Sequence, residues 1–406
     1  MRILHTADWH LGATLERASR LDDHTHFLDW LVATIVERGV ELLIVAGDIY
    51  DRSQPSNEAQ EQYYGFFARL YRLERPPQVI IIAGNHDSPS FIDAPAALLR
   101  HLRVSVTGSL GRTEAEWPDC LVPIAGLDGE TALVVAAVPF VHQYHLGISL
   151  ADQGAAEAHA AFADRVRHLH ETLGQAAEQR WPGVPRVAVG HWSIGAWKAG
   201  DAPREVHAVG TINGLEPSVF AGGWSYVALG HIHRPYPVAA QPPMRYAGSP
   251  VALSFDEAKT PRRVTLVDLA LDGEVSVESL DVPVWRDLVK LSGPPDEVLD
   301  ALRALRSTRP LATLVMAEAQ VDAPRPGWAA EVADLLAAHP EPRPLLVAAP
   351  VRLLRAGDSS AAAQAEPDTM TPEWLFGVLY EATHGSPPSP AVAAAFARIA
   401  ADEVTP

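Results

Sequence analysis

Short apolar runs alternate with amphipathic segments along the first 280 residues of the chain. Runs such as Val79-Ile80-Ile81-Ile82 are β-branched and apolar, which is typical of strands buried on both faces. Apolar residues recur at helical spacing over 21–38, and Gly39 is placed to cap that helix. Strands separated by helices predict βαβ units and an α/β layered fold. The predicted strands are Arg2–Thr6, Glu41–Ala46, Gln78–Ala83, Ala132–Val138, Arg186–Val189 and Ser225–Leu229, with a second helix over Asn57–Leu73 and a closing hairpin of Arg263–Leu269 and Glu274–Leu280.

The pattern restarts after residue 280, which predicts a first domain over residues 1–280 and a smaller α+β domain over 281–355. Residues 356–370, AGDSSAAAQAEPDTM, are small and polar and predict a linker. Residues 371–406 predict two short amphipathic helices. This tail is too small to bury both apolar stripes by itself, so we expect it to dock on the body of the protein or on a partner.

Polar side chains follow the carboxyl ends of five predicted strands, four of them across a glycine. In open α/β sheets ligands bind beyond these strand ends, so the five motifs can converge on one crevice. The side chains are Asp8 and His10, Asp48 and Asp51, Asn85 and His86, His191, and His231 and His233.

This set predicts a metal site. One ion would use three or four protein ligands, so the set suffices for two ions that share a carboxylate, and Asp48 is the natural bridge. The mixture of nitrogen and oxygen donors fits Mn, Fe, Zn or Ni and excludes a thiolate zinc site. Two ions about 3.5–4 Å apart can clamp the attacking and leaving oxygens of a phosphoryl displacement. The expected ligands are Asp8, His10, Asp48, Asn85, His191, His231 and His233, while His86 faces the substrate.

The other histidines are expected to play no part in this site. His5 lies within the first predicted strand and is expected to be a packed core residue. The remaining histidines considered are expected on solvated surfaces: His24, His26, His142, His145, His168 and His170.

Composition and charge indicate the cellular compartment of the protein, but they do not identify its substrate. A net charge of −18 over 406 residues argues against a general nucleic-acid binder, but a metal site needs local negative charge, so the substrate stays open. The single cysteine, Cys120, cannot form an internal disulfide, which suits a reducing cytoplasm. No signal peptide and no apolar run of about 18 residues is evident. These features predict a cytoplasmic protein without membrane association.

The motifs DxH, GDxxD, GNHD, GHxxxG and GHIH, in this order, resemble the signature of the calcineurin-like metallophosphoesterases. Longer stretches such as HTADWHLG, IAGNHDSP and YAGSPVALSFDE are similar to the nuclease subunits of bacterial break-repair complexes, over residues 1–257. The resemblance implies a four-layer sandwich of two mixed β-sheets flanked by helices. It also implies that residues 281–355 form a capping domain and that residues 371–406 hold the coiled coil of an ATPase partner.

The resemblance further implies two Mn²⁺ ions and a DNA substrate. One ion would be held by Asp8, His10, Asp48 and His233, and the other by Asp48, Asn85, His191 and His231. His86 would be the catalytic histidine beside the scissile phosphate. The implied activities are 3′→5′ exonuclease on double strands and endonuclease on single strands, in DNA break or hairpin processing, repair and recombination. The implied assembly is a homodimer of nuclease subunits within a heterotetramer.

Asp51 departs from one branch of these relatives, because the archaeal and eukaryotic nucleases tend to carry a histidine there. An aspartate resembles instead the phosphatases of the superfamily, in which it orients the catalytic histidine. We therefore hypothesise a hydrogen bond between Asp51 and His86 that keeps the imidazole protonated for acid catalysis. Arg52 is a candidate substrate-binding residue that could contact phosphate, and a solvated loop arginine is the equal alternative.

Two other functions fit parts of the sequence. The first is a phosphoesterase of the same fold that acts on nucleotides or other phosphoesters, which the metal motifs alone do not exclude. The domain after residue 280, the tail and the YAGSPVALSFDE motif disfavour it. The second is a scaffold that has lost its metals, which the complete set of ligand residues disfavours.

Overall fold

The structure is a computed structural model that describes residues 1–148, 155–195 and 214–354, with a few isolated residues between 376 and 396. Its helices in chain order are α1 (Leu21–Arg38), α2 (Asn57–Tyr71), α3 (Pro89–Asp93), α4 (Ala96–His101), α5 (Ala155–Arg180), α6 (Pro295–Ala304) and α7 (Trp328–Ala337). Its strands are β1 (Arg2–Thr6), β2 (Thr14–Leu15), β3 (Ala18–Ser19), β4 (Leu42–Ala46), β5 (Gln78–Ile82), β6 (Val104–Thr107), β7 (Leu121–Ala125), β8 (Thr131–Ala137), β9 (Arg186–His191), β10 (Tyr226–Gly230), β11 (Tyr236–Val238), β12 (Met244–Tyr246), β13 (Arg263–Leu269), β14 (Val275–Asp281), β15 (Leu288–Gly293), β16 (Leu314–Val321), β17 (Leu345–Ala348) and β18 (Val351–Leu353). Within the described residues, no helix has the length and apolar character that a membrane span requires.

Two mixed sheets form the body of the molecule. The first has the strand order β14-β13-β1-β4-β5-β6, in which β1, β4, β5 and β6 are parallel and the hairpin β13–β14 closes one edge. The second has the order β11-β12-β10-β9-β8-β7, with a parallel centre and antiparallel strands at both edges. The carboxyl ends of several parallel strands are therefore collected at one edge of each sheet.

The apolar residues separate into three layers of core. One layer lies between the two sheets and includes Ile44 and Ile80 from the first and Val135 and Val187 from the second. A second layer lies under α1 and α2, and a third packs α5 on the outer face of the second sheet. The order helix, sheet, sheet, helix confirms the predicted four-layer sandwich.

A third, smaller sheet follows the closing hairpin. It has the order β15-β16-β17, with β18 also paired to β16, and α6 and α7 pack on it around Trp328 and Val332. This sheet contacts the two-sheet body through the cluster of Leu15, Phe255 and Leu314. The Arg286 guanidinium adds a buried ion pair, since its Nε donates to Asp23 Oδ2 at 2.9 Å.

Two predictions about histidines are wrong. His24 and His170 were expected at the surface, but both are fully buried, and their ring nitrogens have no hydrogen-bond partner among the described residues. His170 packs among the rings of Trp192, Phe220 and Trp224. His5 is buried as predicted, with Nδ1 3.0 Å from the Tyr226 hydroxyl. Burial lowers the pKa of each of these three imidazoles to about 3, because the charged form loses its hydration.

We expect the free energy of unfolding to fall as the pH is lowered from about 6.5 towards 3. In this window the unfolded chain binds protons at the three imidazoles, whereas the folded chain keeps them neutral. A His170→Leu variant removes one such group, so its unfolding free energy should change less steeply, by about 1.4 kcal/mol per pH unit. Urea titrations at a series of pH values measure this slope. A His101→Leu variant, at an exposed site, should behave like wild type, and an unchanged slope for His170→Leu would contradict the assignment.

Candidate metal centre

The loops after the strand ends adopt an unusual backbone. Asp8, His10, Asp48 and His231 have φ values of 52°, 49°, 51° and 94°, a left-handed region that side chains other than glycine rarely adopt. The loops hold one another in this form, because Asp8 N donates to Gly47 O and His10 N donates to Asp48 O, each at 3.0 Å. Such strain is retained where the surroundings over-determine it, which is a common property of functional sites.

The first group of polar atoms contains Asp8, His10, Asp48 and His233. One ligand atom from each side chain lies within 4.8 Å of the others. The Nε2 atoms of His10 and His233 are 3.1 Å apart, and His10 Nε2 is 3.5 Å from Asp48 Oδ2. These four side chains belong to the ends of β1 and β4 in one sheet and of β10 in the other.

The second group contains Asn85, His191 and His231, again next to Asp48. Asn85 Oδ1 is 3.1 Å from His191 Nε2 and 2.9 Å from His231 Nδ1. Asp48 Oδ2 is 3.3 Å from His191 Nε2, and the same oxygen faces His10 in the first group. One oxygen of Asp48 therefore lies between the two groups, in the position expected of a bridging ligand.

The charges at this centre perturb one another. Burial disfavours the ionised form of Asp48, yet the neighbouring imidazoles hold the pKa of that carboxyl well below its usual range. Burial lowers the pKa of His191, but the Asp48 carboxylate raises it to about 9. At Asp8 and His231 burial outweighs the neighbouring charges: it raises the pKa of Asp8 despite the nearby imidazoles, and it lowers the pKa of His231 to about 3 despite the Asp48 carboxylate. The carboxylates and imidazoles of the centre therefore do not compensate one another evenly.

The donor set fits divalent cations. Asp8 Oδ2 is buried and accepts no hydrogen bond from the described part of the chain, although a buried unpartnered carboxylate oxygen is costly. The Nε2 atoms of His10 and His233 converge beside it, and imidazole and carboxylate donors together suit Mn, Fe, Zn or Ni. A cation would satisfy the oxygen and both nitrogens at once.

Asp87 holds the two central loops together, a role that the sequence did not reveal. Its buried carboxylate accepts hydrogen bonds from the main-chain N–H groups of Ile49, Tyr50 and Gly84, at 3.1, 3.0 and 2.8 Å. The loop after β4 is thereby fixed against the loop after β5. Asp48 and Asn85, which these loops carry, are held at a constant separation as a result.

His86 is exposed beside the centre, and its partner differs from the prediction. The ring lies 4.8 Å from that of His10, and its Nδ1 is 3.0 Å from the main-chain carbonyl oxygen of Asp51. The predicted contact with the Asp51 carboxylate is therefore wrong. That carboxylate faces His10 Nδ1 at 3.6 Å and Arg52 Nε at 3.6 Å instead. The loop turns the Asp51 side chain inward, so only its carbonyl reaches His86.

Arg52 points away from the buried atoms, with 78% of its side chain exposed. It lies next to Asp51 in the chain, and its described contact is with the Asp51 carboxylate. At 3.6 Å, the contact between Arg52 Nε and the Asp51 carboxylate is too long to be a strong hydrogen bond. An anion that bound to Arg52 would therefore not have to break one.

Two further residues at the centre were not predicted. Phe140, just beyond β8, packs its ring against those of His191 and His231, with centroids 6.2 and 6.5 Å apart. Glu257, in a short turn of residues 257–259, places Oε1 3.2 Å from His233 Nδ1. The only sequence signals were that Phe140 follows a strand end and that Glu257 closes the YAGSPVALSFDE motif.

Comparison with known proteins gives consistent matches. The family described as calcineurin-like phosphoesterase matches residues 1–235. The SbcD subunit of nuclease SbcCD from Rhodobacter capsulatus is 33% identical over 392 residues, which cover 94% of each chain. The SbcD subunits from Escherichia coli K12 and Bacillus subtilis 168 are 33% and 32% identical. These two alignments cover 72% and 73% of this chain and 71% of each relative.

Proposed function

Since the chain belongs to the calcineurin-like phosphoesterases and, within them, to the SbcD family of nuclease subunits, we propose that it is a metal-dependent nuclease that cleaves DNA phosphodiester bonds. The observation that carries the proposal is the position of Asp48 Oδ2, 3.5 Å from His10 Nε2 and 3.3 Å from His191 Nε2. A carboxylate oxygen between two sets of donors is suited to join two divalent cations.

The proposed ligands form two sets, which correspond to the two groups of side chains described above. Asp8, His10, Asp48 and His233 would hold one Mn²⁺, and Asp48, Asn85, His191 and His231 the other. Bound there, the cations would supply positive charge that polarises the phosphodiester and lowers the pKa of water. The protein residues contribute the rigid frame, because Asp87 and the main-chain bonds fix the loops before substrate arrives.

His86 can act as a proton donor when both of its ring nitrogens are protonated. Its Nδ1–H donates to the Asp51 carbonyl, so the ring is oriented and its Nε2 is directed away from that loop. In the protonated form Nε2 can give its proton to the leaving ester oxygen or stabilise charge on the phosphoryl oxygens. Asp51 would take part through its main chain, and Arg52 through an exposed guanidinium at the mouth.

The first test is cleavage of DNA by purified protein. With Mn²⁺, linear duplex should release nucleotides faster than a chromogenic phosphodiester is turned over, and an Asp48→Ala variant should lose both activity and bound metal. The residual activity without added metal, after dialysis against chelator, should be negligible. If the chromogenic ester is turned over while duplex and single-stranded DNA are left intact, the phosphoesterase alternative is correct and the nuclease proposal fails.

Replacing His86 by Gln should separate metal binding from catalysis. The variant keeps the metal ligands, so it should bind Mn²⁺ as wild type does, but its turnover should fall by about 10²- to 10⁴-fold because general acid catalysis is lost. Metal content by elemental analysis and single-turnover cleavage measure the two effects. A His101→Gln variant, at the exposed end of α4, is the matched control. Wild-type turnover by His86→Gln would exclude the proposed role.

We also propose that residues 371–406 hold an SbcC-like coiled-coil ATPase, with two nuclease subunits in a heterotetramer. Most of this tail lies outside the described residues. Among those described, the ring of Phe376 stacks on that of Phe396 at 4.1 Å, which supports contact between the two predicted helices. Binding of DNA phosphates needs lysine and arginine, and this chain has a net charge of −18. The charge therefore supports a contribution of the ATPase partner to DNA binding.

Removal of residues 371–406 should abolish co-purification of the ATPase with a tagged nuclease subunit. The truncated protein should still cleave the chromogenic phosphodiester, because all the proposed metal ligands lie between Asp8 and His233, before the removed residues. Retention of the ATPase by the truncated subunit would show that the docking surface lies elsewhere.

A further inference from the structure

We propose that Glu257 is a positioning residue: it fixes the ring of His233, and through that ring it controls one of the two metal positions. The inference rests on the proposed metal centre, and it adds to that centre a residue 24 positions beyond the last ligand in the chain. Neither the metal motifs nor the strand ends predict it.

The contact fixes which nitrogen of His233 is available. Glu257 Oε1 lies 3.2 Å from His233 Nδ1, and an ionised carboxylate can only accept a hydrogen bond. The proton of the neutral ring is therefore held on Nδ1, and the lone pair is on Nε2. That atom is the one facing His10 Nε2 at 3.1 Å, within the group of Asp8, His10 and Asp48. Carboxylates of this kind orient metal-binding imidazoles and raise their basicity.

Glu257 is itself held in place. Its Oε2 accepts from the main-chain N–H of Leu253 at 3.0 Å and lies 3.5 Å from Arg262 Nη1. The buried guanidinium of Arg262 also donates to the main-chain oxygens of Glu257 at 2.9 Å and of His233 at 3.1 Å. One segment, residues 253–262, therefore holds both the ring and the backbone of His233.

The other ligand rings are held differently, so the effect of Glu257 should be confined to one group. The Nδ1 of His191 lies 2.8 Å from the main-chain oxygen of Ala46, and a main-chain partner is not removed by substitution. His10 Nδ1 is 3.6 Å from the nearest Asp51 carboxylate oxygen, which is beyond hydrogen-bond distance. Loss of Glu257 should therefore weaken the binding of the ion at His233. The affinity for the ion at Asn85, His191 and His231 should stay unchanged.

The test is a Mn²⁺ titration of the full-length protein, followed by the electron paramagnetic resonance signal of free Mn²⁺. Wild type should bind two ions. In Glu257→Ala, one ion should bind about 10- to 100-fold more weakly and the other as in wild type. Glu257→Gln keeps one acceptor for Nδ1–H, so its loss should be smaller than that of Glu257→Ala.

Two controls separate positioning from a general structural role. Asp256→Ala removes the neighbouring exposed carboxylate, which lies 3.4 Å from Lys259 Nζ, and should bind both ions normally. In a double-mutant cycle with His233→Ala, adding Glu257→Ala should cause no further loss, because the effect passes through the His233 ring. A purely structural role would instead weaken both ions and add to the His233→Ala loss.

The outcomes distinguish this inference from the proposed function. Equal affinities for both ions in Glu257→Ala and wild type would overturn the positioning role and leave the nuclease proposal intact. Wild-type protein that binds two ions but cleaves no DNA would refute the nuclease proposal, while the effect of Glu257→Ala on one ion would still support positioning. Wild-type protein that binds no Mn²⁺ would overturn both.

Discussion

The site depends on the close approach of two β-sheets at their carboxyl ends. A Cβ atom on Gly230 would collide with the carbonyl oxygen of Ala46, which belongs to the other sheet, and one on Gly84 would collide with the Asp48 carboxylate. Only residues without a side chain allow the strand ends to come this near. Because they do, one oxygen of Asp48 can face His10 on one side and His191 on the other.

Bringing the two sheets this close lowers the stability of the fold, and interactions elsewhere in the molecule must offset this cost. Residues in the left-handed backbone region cost about 1–3 kcal/mol each, and one of the two buried carboxylates, Asp8, is not fully compensated by the neighbouring imidazoles. The compensation comes from the apolar layer between the sheets, which is continuous up to the strand ends, and from main-chain hydrogen bonds between the loops. The Asp87 carboxylate adds two contacts between the loops, from the N–H groups of Ile49 and Tyr50, and one within its own loop, from Gly84.

Much of this architecture could be predicted because buried strands and their polar ends leave a local signal. The predicted bounds of β1, α1 and β13 match the structure, and the set of proposed ligands lies together. The long helix α5 and the edge strands β7 and β11 were not predicted. Contacts set by tertiary packing were also missed. The sequence places Asp51 near His86, but it could not reveal that the carbonyl would be the acceptor. The burial of His24 and His170 among aromatic and apolar side chains was equally invisible.

The small sheet after β14 is part of the support of the metal centre. Its strand β16 places Leu314 against Leu15, in the hairpin that follows His10, and against Phe255, two residues before Glu257. Both segments therefore lie between the small sheet and a proposed ligand. The buried contact of Arg286 with Asp23 fixes the start of α1 to the segment just before β15, the first strand of that sheet, and α1 begins directly after the hairpin. A buried ion pair of this kind is a weak source of stability but a strong constraint on geometry, because an unpaired partner would be costly. We therefore regard Arg286 and the small sheet of β15 to β18 as part of what holds His10 and His233 in place.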